Sequence, residues 1–220
     1  MSASQTVGPF FSIGLEHLNR NDLAVPGISG TVVTIRGQIL DGDRQPVPDA
    51  QLETWQADAE GNYSEYKCEA AGHSPAKFTG FGRIFTDAAG RFGFRTIKPG
   101  SVQGAGGEGQ APHIAVFVLM RGLLKPLYTR IYFPGEAAND SDPVLSLVPV
   151  GRKGTLIAHG NEKKDSLEWN VLLQGPDETV FLNGRCGVIS TRITGRLFRV
   201  AVAAISSRLS WRDRDGSTRE

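Results

Sequence analysis

The chain has 220 residues, 40% hydrophobic and 21% charged, and its 24 Lys+Arg against 23 Asp+Glu leave a net charge of +1. These are globular proportions, with enough length to bury a core in one large or two small domains. Near-neutral charge excludes a global pull toward nucleic acid or an anionic membrane, and no run reaches the roughly 18 apolar residues of a membrane span.

The 27 Gly and 12 Pro favour turns over long helices. The opening MSASQTVGPFFSIGLEHLNR lacks the basic start and long apolar run of a signal peptide. Cys68 and Cys186 imply no disulfide framework, so a reducing cytoplasmic setting is expected. EHLNRND near residue 20 offers a short helix. TVVTIRGQIL (31–40) alternates Val33, Ile35 and Ile39 with Thr34, Arg36 and Gln38, the pattern of a half-buried strand. AQLETWQ (50–56) reads as a second strand. FGRIFTDAAGRFGFRTIKPG (81–100) reads as a hairpin about a DAAG turn. HIAVFVLM (113–120) is a continuous apolar run suited to a central strand, and LYTRIYF (127–133) alternates, with Arg130 on its polar face in a structural or interfacial role. SDPVLSLVP (141–149) permits a short helix, and SLEWNVLLQG (166–175) alternates again. Some seven strands between Gly/Pro turns argue for an all-β sandwich with long loops.

The composition changes near the end. Residues 1–182 carry a net charge of −4, and residues 183–220 carry eight Arg, no Lys and three acids, a net of +5. We therefore divide the chain into a domain over 1–182 and an atypical Arg-rich tail over 183–220, helical or disordered. Leu197, Ala201, Ala204, Ile205 and Leu209 permit an amphipathic helix there. The tail is either a poorly packed appendage or a basic surface for an acidic partner or membrane.

Motifs for familiar chemistry are absent. The four histidines, His17, His73, His113 and His159, show no metal-ligand spacing, and two cysteines build no zinc site. GAGGEG (104–109) lacks the Lys-Ser/Thr of a phosphate loop and reads as a flexible loop.

Five segments in order, SQTVGPFFSIGL (4–15), RGQILDGDRQPVPDAQLETWQADAEGNY (36–63), FGRIFTDAAGRFGFRTIKPG (81–100), APHIAVFV (111–118) and LYTRIYFPGE (127–136), resemble the intradiol ring-cleavage dioxygenases. The resemblance implies a transthyretin-like or immunoglobulin-like β-sandwich. It also implies a non-haem Fe(III) held by two Tyr and two His, whose phenolates stabilise the ferric state. Laid on that pattern, Tyr63 matches the first tyrosine and His113 the first histidine. Val102 stands where the second tyrosine belongs, Ala115 where the second histidine belongs, and Gln110 where a pocket arginine belongs. Tyr63 and His113 are thus vestigial ligand positions, and no catalytic or metal-binding set is expected in this chain alone.

In the family's two-chain members, an iron-bearing β-type chain pairs with an α-type chain whose metal site has degenerated. This sequence resembles the α type. That implies a hetero-oligomer with an iron-bearing β-type partner, with protocatechuate and O2 as substrates and 3-carboxy-cis,cis-muconate as product. The resemblance makes Thr6, Gly8 and Pro9 a loop lining the partner's pocket and Arg121 a cation for the substrate carboxylate. The alternatives are an assembly sandwich with no active-site contact and a single-chain metalloenzyme with substitute ligands.

Overall fold

A computed structural model describes residues 6–8, 11–64, 78–104, 107–160, 165–183, 188–193 and 196–201. The strands are β1 Val32–Leu40, β2 Gln51–Trp55, β3 Phe81–Phe85, β4 Arg91–Ile97, β5 Val102–Gln103, β6 Gly109–Gln110, β7 His113–Leu119, β8 Leu127–Tyr132, β9 His159–Gly160, β10 Ser166–Glu168, β11 Val171–Leu172, β12 Leu182–Asn183, β13 Val188–Ile193 and β14 Arg196–Ala201. The α-helices are short: α1 Phe11–Leu15, α2 Pro143–Ser146 and α3 Val150–Lys153.

One sheet runs β14-β13-β12-β8-β7-β2-β3. The apolar run read as a central strand is β7, hydrogen-bonded on both sides by β2 and β8. The other sheet is built on β1, which pairs antiparallel with β4 and parallel with β10 and β11. The expected all-β sandwich is present. Its interior joins Ile35, Phe94 and Trp169 of one sheet to Leu52, Ile114, Val116 and Ile131 of the other.

The 81–100 segment is not a hairpin. β3 pairs with β2 and β4 pairs with β1, so the chain crosses from one sheet to the other. The turn is closed locally: Asp87 Oδ1 accepts from the N–H groups of Ala89 and Arg91, and Gly90 takes φ +68°. Ile84 and Phe92/Phe94 enter the same core from opposite sheets, where burial of their apolar surface is favourable.

Alternation on β7 and β8 creates a second core on the other face of the larger sheet. Ala115, Tyr128 and Tyr132 there meet Val144, Leu145, Val148 and Leu156 from the α2 region. The face of β8 that reads as polar in the sequence is therefore buried, and Arg130 is 2% exposed.

In the tail, residues 196–201 are strand where the spacing permits a helix, and β13 and β14 pair in register from Val188↔Ala201 to Ile193↔Arg196. The β-branched run Val188, Ile189, Thr191, Ile193 favours extended backbone. The rest of the tail, both cysteines and Pro9 lie outside the described residues.

Candidate functional site

The segments 55–57 and 96–100 are tied together just ahead of Tyr63. Gln56 donates Nε2 to the Ile97 carbonyl at 2.8 Å, and its Oε1 accepts from Thr96 at 2.8 Å, tying W-Q-A to T-I-K-P-G. Asp58 Oδ1 accepts from the Glu60 and Asn62 N–H groups, and the Gly100 N–H reaches the Asp58 carbonyl at 2.8 Å. Gly61 takes φ +87°, and a Cβ there would meet the Ser101 carbonyl oxygen at 2.1 Å. Only glycine permits that turn and approach together. Tyr63 emerges from this loop, stacked on Trp55 with ring centroids 6.4 Å apart, and stays 45% exposed. Burial raises its phenol pKa; the charge of Arg130 opposes this and Tyr128 adds to it.

His113 begins β7 and is buried beside Tyr132, ring centroids 5.8 Å apart. Its Nδ1–H donates to the Ala111 carbonyl at 2.8 Å. Desolvation and then the Arg130 charge lower its pKa to about 3, partly opposed by that hydrogen bond, so the ring is neutral at physiological pH.

Across the ladder, Ala115 pairs with both Trp55 and Arg130. The Arg130 guanidinium thus projects from the strand position directly opposite Ala115, on the same sheet face. Its Nη1 donates to Gln110 Oε1 at 2.9 Å and to the Tyr132 hydroxyl at 3.3 Å, and its Nε donates to the Tyr128 hydroxyl at 3.3 Å. Burial alone would lower its pKa, but Tyr128 and Tyr132 outweigh this and raise it. Tyr132 passes the contact on, donating to Asp142 Oδ1 at 3.1 Å. Asp142 is fully buried and also accepts from the N–H groups of Ala111, Val144 and Leu145. A cation and an anion are therefore buried together, joined through a phenol.

Alternation puts Arg130 on a polar face of its strand, but that face is covered and Arg130 is interior, where it bonds to Gln110, the residue that stands at the family's pocket-arginine position. The period-two Tyr128-Arg130-Tyr132 triplet was the signal that could have shown it. The residues that surround Tyr63 and His113 do not suit ferric iron. The Arg130 guanidinium acts on both Tyr63 and His113 by its charge, and Ala115 offers no donor atom.

The second group of expected residues lies together at the other end of β7. Thr6 Oγ1 accepts from the Gly122 N–H at 2.8 Å, which brings the N-terminal loop against the turn that carries Arg121. Val7 borders a shallow groove there with Met120, Leu123 and Leu124. Gly8 is exposed, with open space around it. Arg121 is paired through Nε with Asp49, a partner the sequence reading missed, and its side chain remains 56% exposed. A separate polar groove near Asn19, Asn21, Arg36 and Arg91 includes none of these residues.

No helix among the described residues is long and apolar enough to cross a membrane. A family model described as "Dioxygenase" matches residues 8–175. The chain is 41% identical over 195 residues to the protocatechuate 3,4-dioxygenase alpha chain of Burkholderia cepacia, covering 82% of this chain and 95% of that one. It is 32% identical over 158 residues to the beta chain from the same organism, covering 68% and 67%. The dioxygenase domain of a dioxygenase carbohydrate-binding protein fusion from Streptomyces sp. SirexAA-E superposes with a TM-score of 0.56 at 26% identity, covering 71% of this chain and 88% of that domain.

Proposed function

This chain belongs to the intradiol dioxygenase family, and we propose that within it the chain serves as the alpha, iron-free subunit of a protocatechuate 3,4-dioxygenase. The near full-length similarity to an alpha chain carries this reading. Similarity to a beta chain supports a homologous partner, on which we place the Fe(III). The ferric centre would supply activation of the catechol ring toward O2. Two cysteines without a disulfide framework suit a reducing compartment, and the cytoplasm is part of the proposal.

The work of this chain is pocket construction. Thr6, Gly8 and Pro9 line the partner's pocket from the N-terminal loop, and the Thr6–Gly122 hydrogen bond holds that loop against the Arg121 turn. Arg121 attracts the substrate carboxylate, and the Asp49 ion pair through Nε holds its guanidinium in place. Tyr63 and His113 are vestigial positions without a catalytic role. One observation favours the second reading, an assembly subunit with no active-site contact: Asp49 already neutralises Arg121.

The test is metal analysis of the pure chain, then oxygen uptake with protocatechuate, with and without an iron-bearing beta chain. The pure chain binds no stoichiometric iron and is inactive, and it raises the partner's activity. Ring cleavage by the isolated chain refutes the iron-free assignment. A beta chain equally active alone supports the assembly reading.

A further inference from the structure

We propose that the Arg130 guanidinium takes the place of a metal ion in this fold and acts as a fixed internal cation that excludes metal from the pocket. The proposal rests on the ligand positions that the family pattern assigns. It does not need the partner chain, and it survives if the subunit reading fails.

Placement points to this first. Ala115 stands at the lost histidine position, and Arg130 is its direct cross-strand neighbour on the same sheet face. Alanine puts no imidazole at the position opposite Arg130, whose long cationic side chain is buried on that face. The donor set agrees. The guanidinium gathers two phenolic oxygens, from Tyr128 and Tyr132, and one amide oxygen, from Gln110. These neutral oxygens solvate a cation, and Gln110 stands where the family has an arginine. The positive charge now stands on the side chain that bonds to that position.

The available anions are also committed. The buried carboxylate of the cluster, Asp142, is already occupied by three backbone N–H groups and the Tyr132 hydroxyl. It cannot turn toward an incoming ion without stranding those donors. A metal entering here would meet a buried positive charge in a poorly screened interior, with no uncommitted anion in the cluster to offset it. Loss of two ligands weakens a metal site, whereas a resident cation closes it. Restoring ligands alone should therefore fail.

The probe is Co²⁺, read by its visible absorption and by stoichiometry on the isolated full chain. The Ala115→His variant creates a His-x-His pair with His113. It should bind no cobalt at about 0.1 mM. Ala115→His with Arg130→Lys, which keeps the charge, should also bind none. Ala115→His with Arg130→Gln should bind one equivalent, at least about 100-fold tighter than Ala115→His. Near-ultraviolet circular dichroism confirms folding of each variant. If the Arg130→Gln variant does not fold, Ala115→His/Arg130→Met/Asp142→Asn replaces it, because removing both buried charges avoids stranding either one. Cobalt bound equally well by Ala115→His with Arg130 in place overturns the proposal. So does tight binding by the Ala115→His/Arg130→Lys variant, or a folded charge-free variant that stays empty at millimolar cobalt.

Discussion

Replacing Arg130 with Met tests whether the buried cation organises the second core. Met fills part of the volume of the arginine stem, so the change mainly deletes charge and hydrogen bonds. Three contacts are lost, to Gln110 Oε1 at 2.9 Å and to the Tyr128 and Tyr132 hydroxyls at 3.3 Å each. The two hydroxyls can turn toward other acceptors, and Tyr132 keeps Asp142. Gln110 Oε1 is left buried without this donor, which costs about 1–3 kcal/mol. Asp142 keeps its backbone donors and the Tyr132 hydroxyl. Arg130 and Asp142 are joined only through Tyr132, so no direct ion pair is broken; adding about 0.5–1.5 kcal/mol for the hydrogen bonds lost at the two phenols places the expected loss near about 3 kcal/mol. With an m-value of about 3 kcal/mol/M in urea for a chain of this size, the midpoint should fall by about 1 M. Urea titration followed by tryptophan fluorescence measures it. Asp142→Asn should cost less when added to Arg130→Met than when made alone. A loss under about 1 kcal/mol, or strictly additive effects, refutes the coupling of Arg130 to Asp142 through Tyr132.

Three further outcomes are expected. His113 has a folded pKa of about 3 against an ordinary value near 6.5, so below pH 6.5 the unfolded chain binds the extra proton. Its contribution is present above pH 6.5 and is lost as pH falls toward 3, at up to about 1.4 kcal/mol per pH unit; His113→Gln should flatten that part of the stability profile, and an unchanged slope counts against it. Arg121→Gln should raise KM for protocatechuate more than it lowers kcat, with a smaller effect for catechol, which lacks the carboxylate; equal losses for both substrates point to a structural arginine. Deleting residues 183–220 should leave assembly and activity with the partner intact, because Leu182 still pairs with Tyr128 on β8, and a truncated chain that no longer binds its partner in gel filtration shows the tail to be part of the interface.

Local pattern was enough for much of this protein. Alternation marked β1 and β8, an apolar run marked β7, and turn residues marked the 87–90 loop, because side-chain period and backbone preference are properties of neighbours in sequence. The loss of ligand types at Val102 and Ala115 was likewise legible, since it depends on residue identity at motif positions. What alternation could not show is which sheet a strand joins. β3 and β4 look like hairpin partners, yet β3 pairs with β2 and β4 with β1, in opposite sheets. Nor could it show that both faces of β8 are covered, because the cover comes from residues 144–156, distant in sequence. That cover turns Arg130 from a surface cation into the centre of a buried network. The Asp49–Arg121 and Tyr132–Asp142 contacts join positions that only the folded chain brings within reach. A buried charge is stable only where its partners are supplied from several strands at once, and tertiary structure alone decides whether they are.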